Sequence, residues 1–414
     1  MIKPYMWNTW DVNYLNAVSY LPDGLEVRFG LHDEVSGSEL HQFLWDNIHR
    51  IGEHATNGSY CYAELKWDED IVGMEYASEG DFLVCRITPR RISRRLNLIV
   101  DLFYTLGNKG KINRLKGTAL KAKDFMLFSP NVVMESTKGE KDALTFALLD
   151  EPIYICCFRD DGKKAIRTKE DMKDFISRQR CLYNGMKVSG NGPLAGYADA
   201  IIPAVAWNTI WEPINKEICT VFSKELCARS WGGYAIAKWD TFFIALLSAI
   251  EDEELAYCNI NAAANEITER GLFPDHATLL GKSEDRSQPP VEAYTILKLY
   301  KTFQRKELLE RYFPKLLRAH KWWMKYRDGN GDGLLEWGSD PIKGPFGYHD
   351  IKAAKDESGM DNSPMYDDVK FNKDTNTMEL IDVGLNSLYA LNAWALSVIA
   401  EKIGKKKEAV RLKD

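Results

Sequence analysis

Between Lys355 and Asp368 the chain reads KDESGMDNSPMYDD, which gathers Glu357, Asp361, Asp367 and Asp368 in one short polar stretch. Hydrolysis of a glycosidic bond draws on that kind of resource. One carboxylic acid protonates the leaving oxygen, and a second carboxylate acts from the opposite face of the sugar. Ser358, Asn362 and Ser363 add hydrogen-bonding groups that can fix a sugar or the acid itself. The plainer reading is a solvated acidic loop, and spacing alone favours it.

A second chemical feature is RSWGGYAIAKWDTFF, Arg229–Phe243, in which a Trp-Gly-Gly turn leads into a helix opening with Trp239 and Asp240. An indole beside a carboxylate grips a hexose, since the apolar sugar face stacks on the ring and the hydroxyls bond the carboxylate. Otherwise Asp240 is a helix-start acid favoured by the dipole and Trp239 is a packing residue. In RDGNGDGLLEWGSD the oxygens of Asp328, Asn330 and Asp332 alternate, and Glu336 follows Leu334 and Leu335. A tight loop wraps Ca²⁺ in that way. The position where an EF-hand carries its closing Glu holds Ser339, so the expectation is a shorter calcium loop using the Leu334 carbonyl and Glu336, or an ordinary turn. Gln288, in SQPP, precedes prolines suited to a first helical turn. No phosphate-binding glycine loop, Ser/His/Asp order or HExxH is present, and the 7 His are scattered.

These residues need elements to hold them. Up to about residue 160, runs such as GLEVRFGL, SYCYAELKW, DFLVCRITP, RRLNLIVDLFY, NVVMEST and EPIYICCF read as short antiparallel strands of a sandwich. GSELHQFLWDNIHRIG, 37–52, reads as an interrupting helix. From TKEDMKDF, with its cap-like Thr168, the spacing turns helical. YADAIIPAVAWNTIWEPI, KWDTFFIALLSAI, DEELAYCNINAAANEITERG, PPVEAYTILKLYKTF, RKELLERYFPKLLRAHKWWMKY and DVGLNSLYALNAWALSVIAEKIG follow. The long polar connections 271–288 and 328–377 are of functional length. The expected organisation is therefore a β-sandwich-like domain over 1–165 and an all-α domain over 166–414. Helical hairpins with long loops at one end suggest an α/α toroid, of which about half the helices are present.

Composition narrows the function. The 414 residues are 45% hydrophobic and 28% charged with a net charge of -6, the balance of a globular protein and the wrong sign for a nucleic-acid binder. The 8 Cys include no C-x-x-C, which favours buried thiols in a reducing compartment over zinc. The first residues lack a signal-peptide pattern, and no run reads as a membrane span of ~18–20 apolar residues. A cytoplasmic location with no membrane partner is expected. The 12 Trp and 19 Tyr suit a site that stacks sugar faces.

Read in order, WGGYAIAKWDTFF, SQPP, NGDGLLEWGSD and ESGMDNSPMYDD resemble the motifs of glycoside hydrolase family 63 and its bacterial relatives, α-glucosidases and mannosylglycerate-type hydrolases among them. The resemblance covers roughly residues 195–405. It implies an (α/α)6 barrel behind an N-terminal β-sandwich, inverting hydrolysis of terminal α-linked glucose or mannose, and Asp361 as general acid. It implies sugar contacts from Trp239, Asp240 and Gln288, with Trp337 walling the pocket and calcium near Asp328–Glu336. Glu357, nearest in sequence, is the expected carboxyl neighbour of the acid, and a substrate contact. The general base is expected to be a Glu carried beyond residue 414. Met365 and Tyr366 stand where the family has Arg after SP, and Asp356 stands where an aromatic often precedes ESG. The partner is a small saccharide and no organic cofactor is expected; a second copy or another chain would cover the open half-barrel. The alternatives are a sugar-binding protein without turnover, a truncated inactive fragment, or another toroid enzyme such as a phosphorylase or lyase.

Overall fold

Strands such as Leu25–Asp33 and Asp70–Glu79 bury nearly every side chain, so each must be covered on both sides. The computed structural model, which describes residues 6–115, 119–134, 143–160 and 168–413, meets that demand with two antiparallel sheets. One has six strands, in the order Trp7–Asn8, Ala17–Tyr20, Leu25–Asp33, Leu96–Tyr104 and Ala143–Ala147, with Glu39–Leu40 alongside Leu25–Asp33. The other has eight and runs from Ile112–Leu115 at one edge to Ile48–His54 at the other. Val18, Val27 and Val100 of the first sheet share one apolar core with Met74, Cys85 and Ile155 of the second.

The helix expected over 37–52 does not form. That segment holds the strand Glu39–Leu40, one short turn at Trp45–Asn47, and the start of Ile48–His54. Asn47 accepts from the Leu44 amide at 3.0 Å, which closes the turn. Ile48, Arg50 and Ile51 then pair with Leu65, Glu64 and Ala63. Edge pairing with β-branched residues has overridden the helical spacing. Of the run read as a strand over 131–137, Asn131, Val132 and Val133 belong to no strand, Met134 bridges to Thr145, and 135–137 lie outside the described residues.

Helix α1, Lys169–Met186, starts where its sequence says, with Thr168 accepting from the Asp171 amide at 3.1 Å. Its Met172, Phe175, Ile176 and Tyr183 pack with Tyr60, Val84, Cys156 and Phe158. The chain accordingly divides into compact units at Met1–Pro213 and Ile214–Asp414, whereas the change from strand to helix falls earlier, between Arg159 and Lys169. Helix α2, Tyr197–Trp207, stops short of its expected end, and the β-branched Thr209 and Ile210 that follow are extended.

The second unit is helical. Its elements are α3 (Lys224–Ser230), α4 (Lys238–Ser248), α5 (Glu253–Asn265), α6 (Glu292–Phe303), α7 (Lys306–Tyr326), α8 (Ile351–Glu357), α9 (Val383–Lys402) and α10 (Lys406–Arg411). Asp252, Asp350 and Asp382 cap α5, α8 and α9 through their carboxylates. Phe242, Ile260, Leu297, Leu309, Phe313 and Ile399 form the centre of its core. Alternate connections are long, and a small antiparallel sheet of Ala235–Ala237, His276–Thr278 and Gly281–Lys282 lies among them. Helix α9 has the length and composition to cross a membrane, which the sequence reading had not assigned to any run; it packs against α6, α7 and α10. Phe243, Leu247, Leu391 and Trp394 are exposed on α4 and α9.

The capping of α1 gives a direct expectation. Thr168→Ala should cost about 1 kcal/mol, read as a lower urea midpoint with an unchanged slope. A variant as stable as the parent would mean that packing alone sets where α1 begins.

Candidate active site

The site is built outward from two buried arginines. Arg327 follows α7 and is fully buried. Its Nε donates to Glu357 at 2.6 Å, its Nη1 to Asp340 at 2.8 Å and the Tyr326 carbonyl at 2.9 Å, and its Nη2 to the Asp285 carbonyl at 3.2 Å. The guanidinium lies 4.6 Å over the Trp322 ring. Glu357, at the end of α8, also accepts from the Ser287 amide at 2.8 Å and the Gly338 amide at 2.7 Å. Burial pushes its carboxyl up, and Arg327 and the two amides oppose that. One carboxylate thus joins three loops.

Arg286 is the second arginine, 2% exposed. Its Nε donates to Asp275 at 3.1 Å, and its Nη1 to both oxygens of Asp285 at 3.0 Å and to the Phe346 carbonyl at 2.9 Å. Its Nη2 stands 3.4 Å from Asp356. Asp285 further accepts from Ser339 Oγ at 2.8 Å, so the Arg286 and Arg327 networks are joined.

The acid-bearing turn leaves this frame directly. After α8, Ser358 Oγ donates to the Lys355 carbonyl at 2.6 Å and accepts from the Met360 amide at 3.0 Å. Gly359 has φ +67°, and a Cβ there would fall 2.5 Å from the Trp239 ring. Only a glycine lets this backbone lie on the indole. The ESGMD turn and the WD pair, distant in sequence, are therefore neighbours. Asp361 is exposed, and Trp239 and Asp240 are half-buried in the first turn of α4. Burial lifts the Asp240 carboxyl above its ordinary value, with Asp275 adding to the effect. Asp356 is pushed up to about 6 by burial against the pull of Arg286, and the charges of Asp275 and Asp361 push the same way.

Helix α4 is pinned from below. Gln288 Oε1 accepts from the Trp239 amide at 2.8 Å. The buried Lys238 Nζ donates to the carbonyls of Gln288 at 2.8 Å and Pro289 at 3.1 Å, and pairs with buried Glu292 at 3.1 Å.

Two expected sugar contacts are corrected. Glu357 is fully buried with both oxygens on protein donors; it organises the loops and does not present itself to a ligand. Nor is it the carboxyl whose charge meets that of Asp361, which is Asp356. Trp337 is 2% exposed and packs edge-on to Trp323 at 6.0 Å in a core with Leu272, Tyr366 and Leu385. Gln288, largely buried, orients Trp239 through its backbone. Asp275 and Arg286 carry no motif of their own, and Asp356 stood out only as a departure from the family pattern. The remaining signal was the charge density within the loop of functional length at 271–288 and the end of α8.

The Asp328–Glu336 loop is held by its own side chains. Gly333 N donates to Asp328 Oδ2 at 3.2 Å, Asp332 N to Asn330 Oδ1 at 2.9 Å, Leu334 N to Asp332 Oδ1 at 2.8 Å, and Gly329 N to Glu336 Oε2 at 2.9 Å. Asp328 Oδ1 is buried with no hydrogen-bond partner. Among the described residues no group of three or more His, Cys, Asp or Glu side chains is arranged to hold a metal. A cation here would thus draw on carbonyl and amide oxygens as well.

An exposed carboxylate turn set against an indole and a second carboxylate, carried on loops of a helical unit, has the form of a carbohydrate-processing site. A family comparison points to the same class. Residues 233–414 match the family described as the mannosylglycerate hydrolase MGH1-like glycoside hydrolase domain. Mannosylglycerate hydrolases MGH1 and MGH2 of Selaginella moellendorffii are 27% identical over 35% of this chain and 33% of theirs. The chain thus spans about a third of the length of these curated relatives. A GH63 mannosylglycerate hydrolase from Thermus thermophilus, solved with glucose, matches 43% of this chain and 57% of its own at 20% identity and a TM-score of 0.33. A family GH92 α-mannosidase from Bacteroides thetaiotaomicron matches 99% and 62% at 9% identity and a TM-score of 0.39.

Three outcomes follow from this geometry. Glu357→Ala strands Arg327 in the core and should cost about 3–5 kcal/mol, measured by chemical denaturation; a loss below about 1 kcal/mol would show the pair to be solvated. Gly359→Ala should destabilise by more than about 1 kcal/mol and change Trp239 fluorescence, whereas an unaltered emission spectrum would separate the turn from the indole. Asp356 binds its proton more tightly folded than unfolded, so stability falls as pH rises from about 4 to about 6. Relative to the parent, Asp356→Asn should gain stability across that window, and parallel Tm–pH curves would contradict it.

Proposed function

We propose that the chain carries the acid side of an inverting glycoside hydrolase site that acts on terminal α-linked glucose or mannose. The observation that supports this best is the close approach of Gly359, two residues before Asp361, to the Trp239 indole. Asp361 is the general acid and protonates the glycosidic oxygen as the bond to C1 breaks. Trp239 stacks on the sugar face and Asp240 accepts from its hydroxyls, while Gln288 holds the Trp239 backbone in register. Inversion also needs a carboxylate about 6.5–9.5 Å from the acid, across the sugar, to take a proton from the attacking water. The resemblance assigns that role to a Glu carried by the later helices of the barrel. The site formed by these residues is then expected to bind hexose.

In the same reading Ca²⁺ sits in the Asp328–Glu336 loop, on the unpartnered Asp328 Oδ1, the Leu334 carbonyl and Glu336, and stiffens the connection that leads to the Arg327 network. Millimolar calcium should raise Tm and chelator lower it, through preferential binding to the folded state. A Tm indifferent to both would reduce the loop to a turn.

The acid assignment is tested in a protein that contains the base. There Asp361→Asn should lower turnover of natural glycosides by about 10²–10⁴-fold, with rates recovering on substrates whose leaving groups need no proton. Near-normal turnover of natural glycosides by the Asn variant would move the acid elsewhere. In the 414-residue chain, Asp240→Ala should weaken glucose and mannose binding with little change in Tm. Undiminished binding would place the first subsite away from α4.

A further inference from the structure

Helix α4 carries both Trp239 and Asp240, yet its own residues do not cap it. Ala237 stands at the N-cap and has no side-chain acceptor for the first amides, whereas α5, α8 and α9 each begin at an aspartate that does. The first two amides of α4 are met from elsewhere. Lys238 N donates to the Asp275 carbonyl at 2.9 Å, and Trp239 N donates to Gln288 Oε1 at 2.8 Å. The cap is therefore borrowed, and half of it lies on the 288–289 segment. Lys238 itself holds that segment. Its Nζ donates to the carbonyls of Gln288 at 2.8 Å and Pro289 at 3.1 Å and faces Glu292 at 3.1 Å, which engages all three directions of the ammonium. Glu292 in turn accepts from Asn392 Nδ2 at 3.3 Å, and Asn392 Oδ1 accepts from the Ala293 amide at 2.8 Å. The start of α4 is thus tied to α6 and, through Asn392, to α9.

We propose that Lys238 is a positioning residue for the first sugar subsite: it fixes the carbonyls of Gln288 and Pro289, and with them the Gln288 side chain that sets the backbone from which Trp239 and Asp240 project. The proposal rests on the glycosidase reading. Lys238 is 2% exposed and Glu292 is fully buried, so neither is placed to touch a ligand. A buried ion pair adds little net stability over apolar side chains of similar size. What the ammonium supplies, and an apolar side chain lacks, is a set of directed donors, two of them spent on consecutive carbonyls. A sugar that meets the indole and the carboxylate already in place loses no affinity to ordering them.

Methyl α-mannoside and methyl α-glucoside are titrated calorimetrically into the 414-residue protein, with Tm measured alongside. Lys238→Met leaves Glu292 buried without its cation and should lower both Tm and affinity. Lys238→Met combined with Glu292→Gln removes both charges, so Tm should return towards the parent value. Its affinity should stay at least about tenfold below the parent's, because the Gln288 and Pro289 carbonyls still lack their donor. Affinity that recovers together with Tm would reduce Lys238 to a packing residue and overturn the proposal, as would parental affinity in the single variant. If the variants do not fold, amide exchange in the parent decides. The Trp239 amide should be protected before any sugar is added. Free exchange that only sugar suppresses would mean that the ligand builds the cap, and would overturn the proposal while leaving the glycosidase reading standing. Failure of both glycosides to bind the parent would defeat the glycosidase reading itself, and the proposal with it.

Discussion

The Glu357 carboxylate, buried on Arg327 and on the amides of Ser287 and Gly338, is the constraint from which the rest of the site follows. A charge placed there must be paired, since an isolated carboxylate in the interior is prohibitively costly. The pairing requirement brings the end of α8, the 284–288 segment and the 327–338 loop to one point. A buried ion pair contributes little net stability compared with an apolar replacement. Its value here is geometric: the turn that starts at Ser358 leaves from a position set to within a hydrogen bond.

From that point the chemistry-bearing residues are positioned by close approaches and not by their own interactions. Gly359 rests its backbone on Trp239. Trp239 in turn hangs from Gln288, and Lys238 below it is anchored on two carbonyls and Glu292. Tyr366, after the acid, donates to Asp382 at 2.9 Å, the residue that caps α9. The acid turn is thus fixed at both ends, while Asp361 itself stays exposed. Arg286 draws Asp275, Asp285 and Asp356 into one network.

Much of this was legible in the residues, and the failures have physical causes. The ESGMDNSP and WDTFF strings, singled out because glycines, indoles and carboxylates at those spacings are chemically distinctive, form a turn and a helix start that meet at Gly359 and Trp239. Which acid of ESGMD faces outward was not legible. Glu357 and Asp361 differ only in phase along the chain, and phase becomes burial once α8 is docked. Trp337 was misread for the same reason: an indole looks alike in a pocket wall and in a core. The strand at Ile48–His54 was hidden behind helical spacing, since its pairing partner, Tyr60–Trp67, exerts its effect only in the folded sheet. Cap residues acted locally and were read correctly, as Thr168 illustrates.

The central claim is that Asp361, Trp239 and Asp240 form one sugar site. Its most direct measurement is a crystal structure of the 414-residue protein with glucose or mannose bound. The account predicts a hexose with one face on the Trp239 indole, a hydroxyl within hydrogen-bonding distance of Asp240, and C1 turned towards Asp361. An ordered hexose elsewhere, or one at Trp239 whose C1 points away from Asp361, would contradict it.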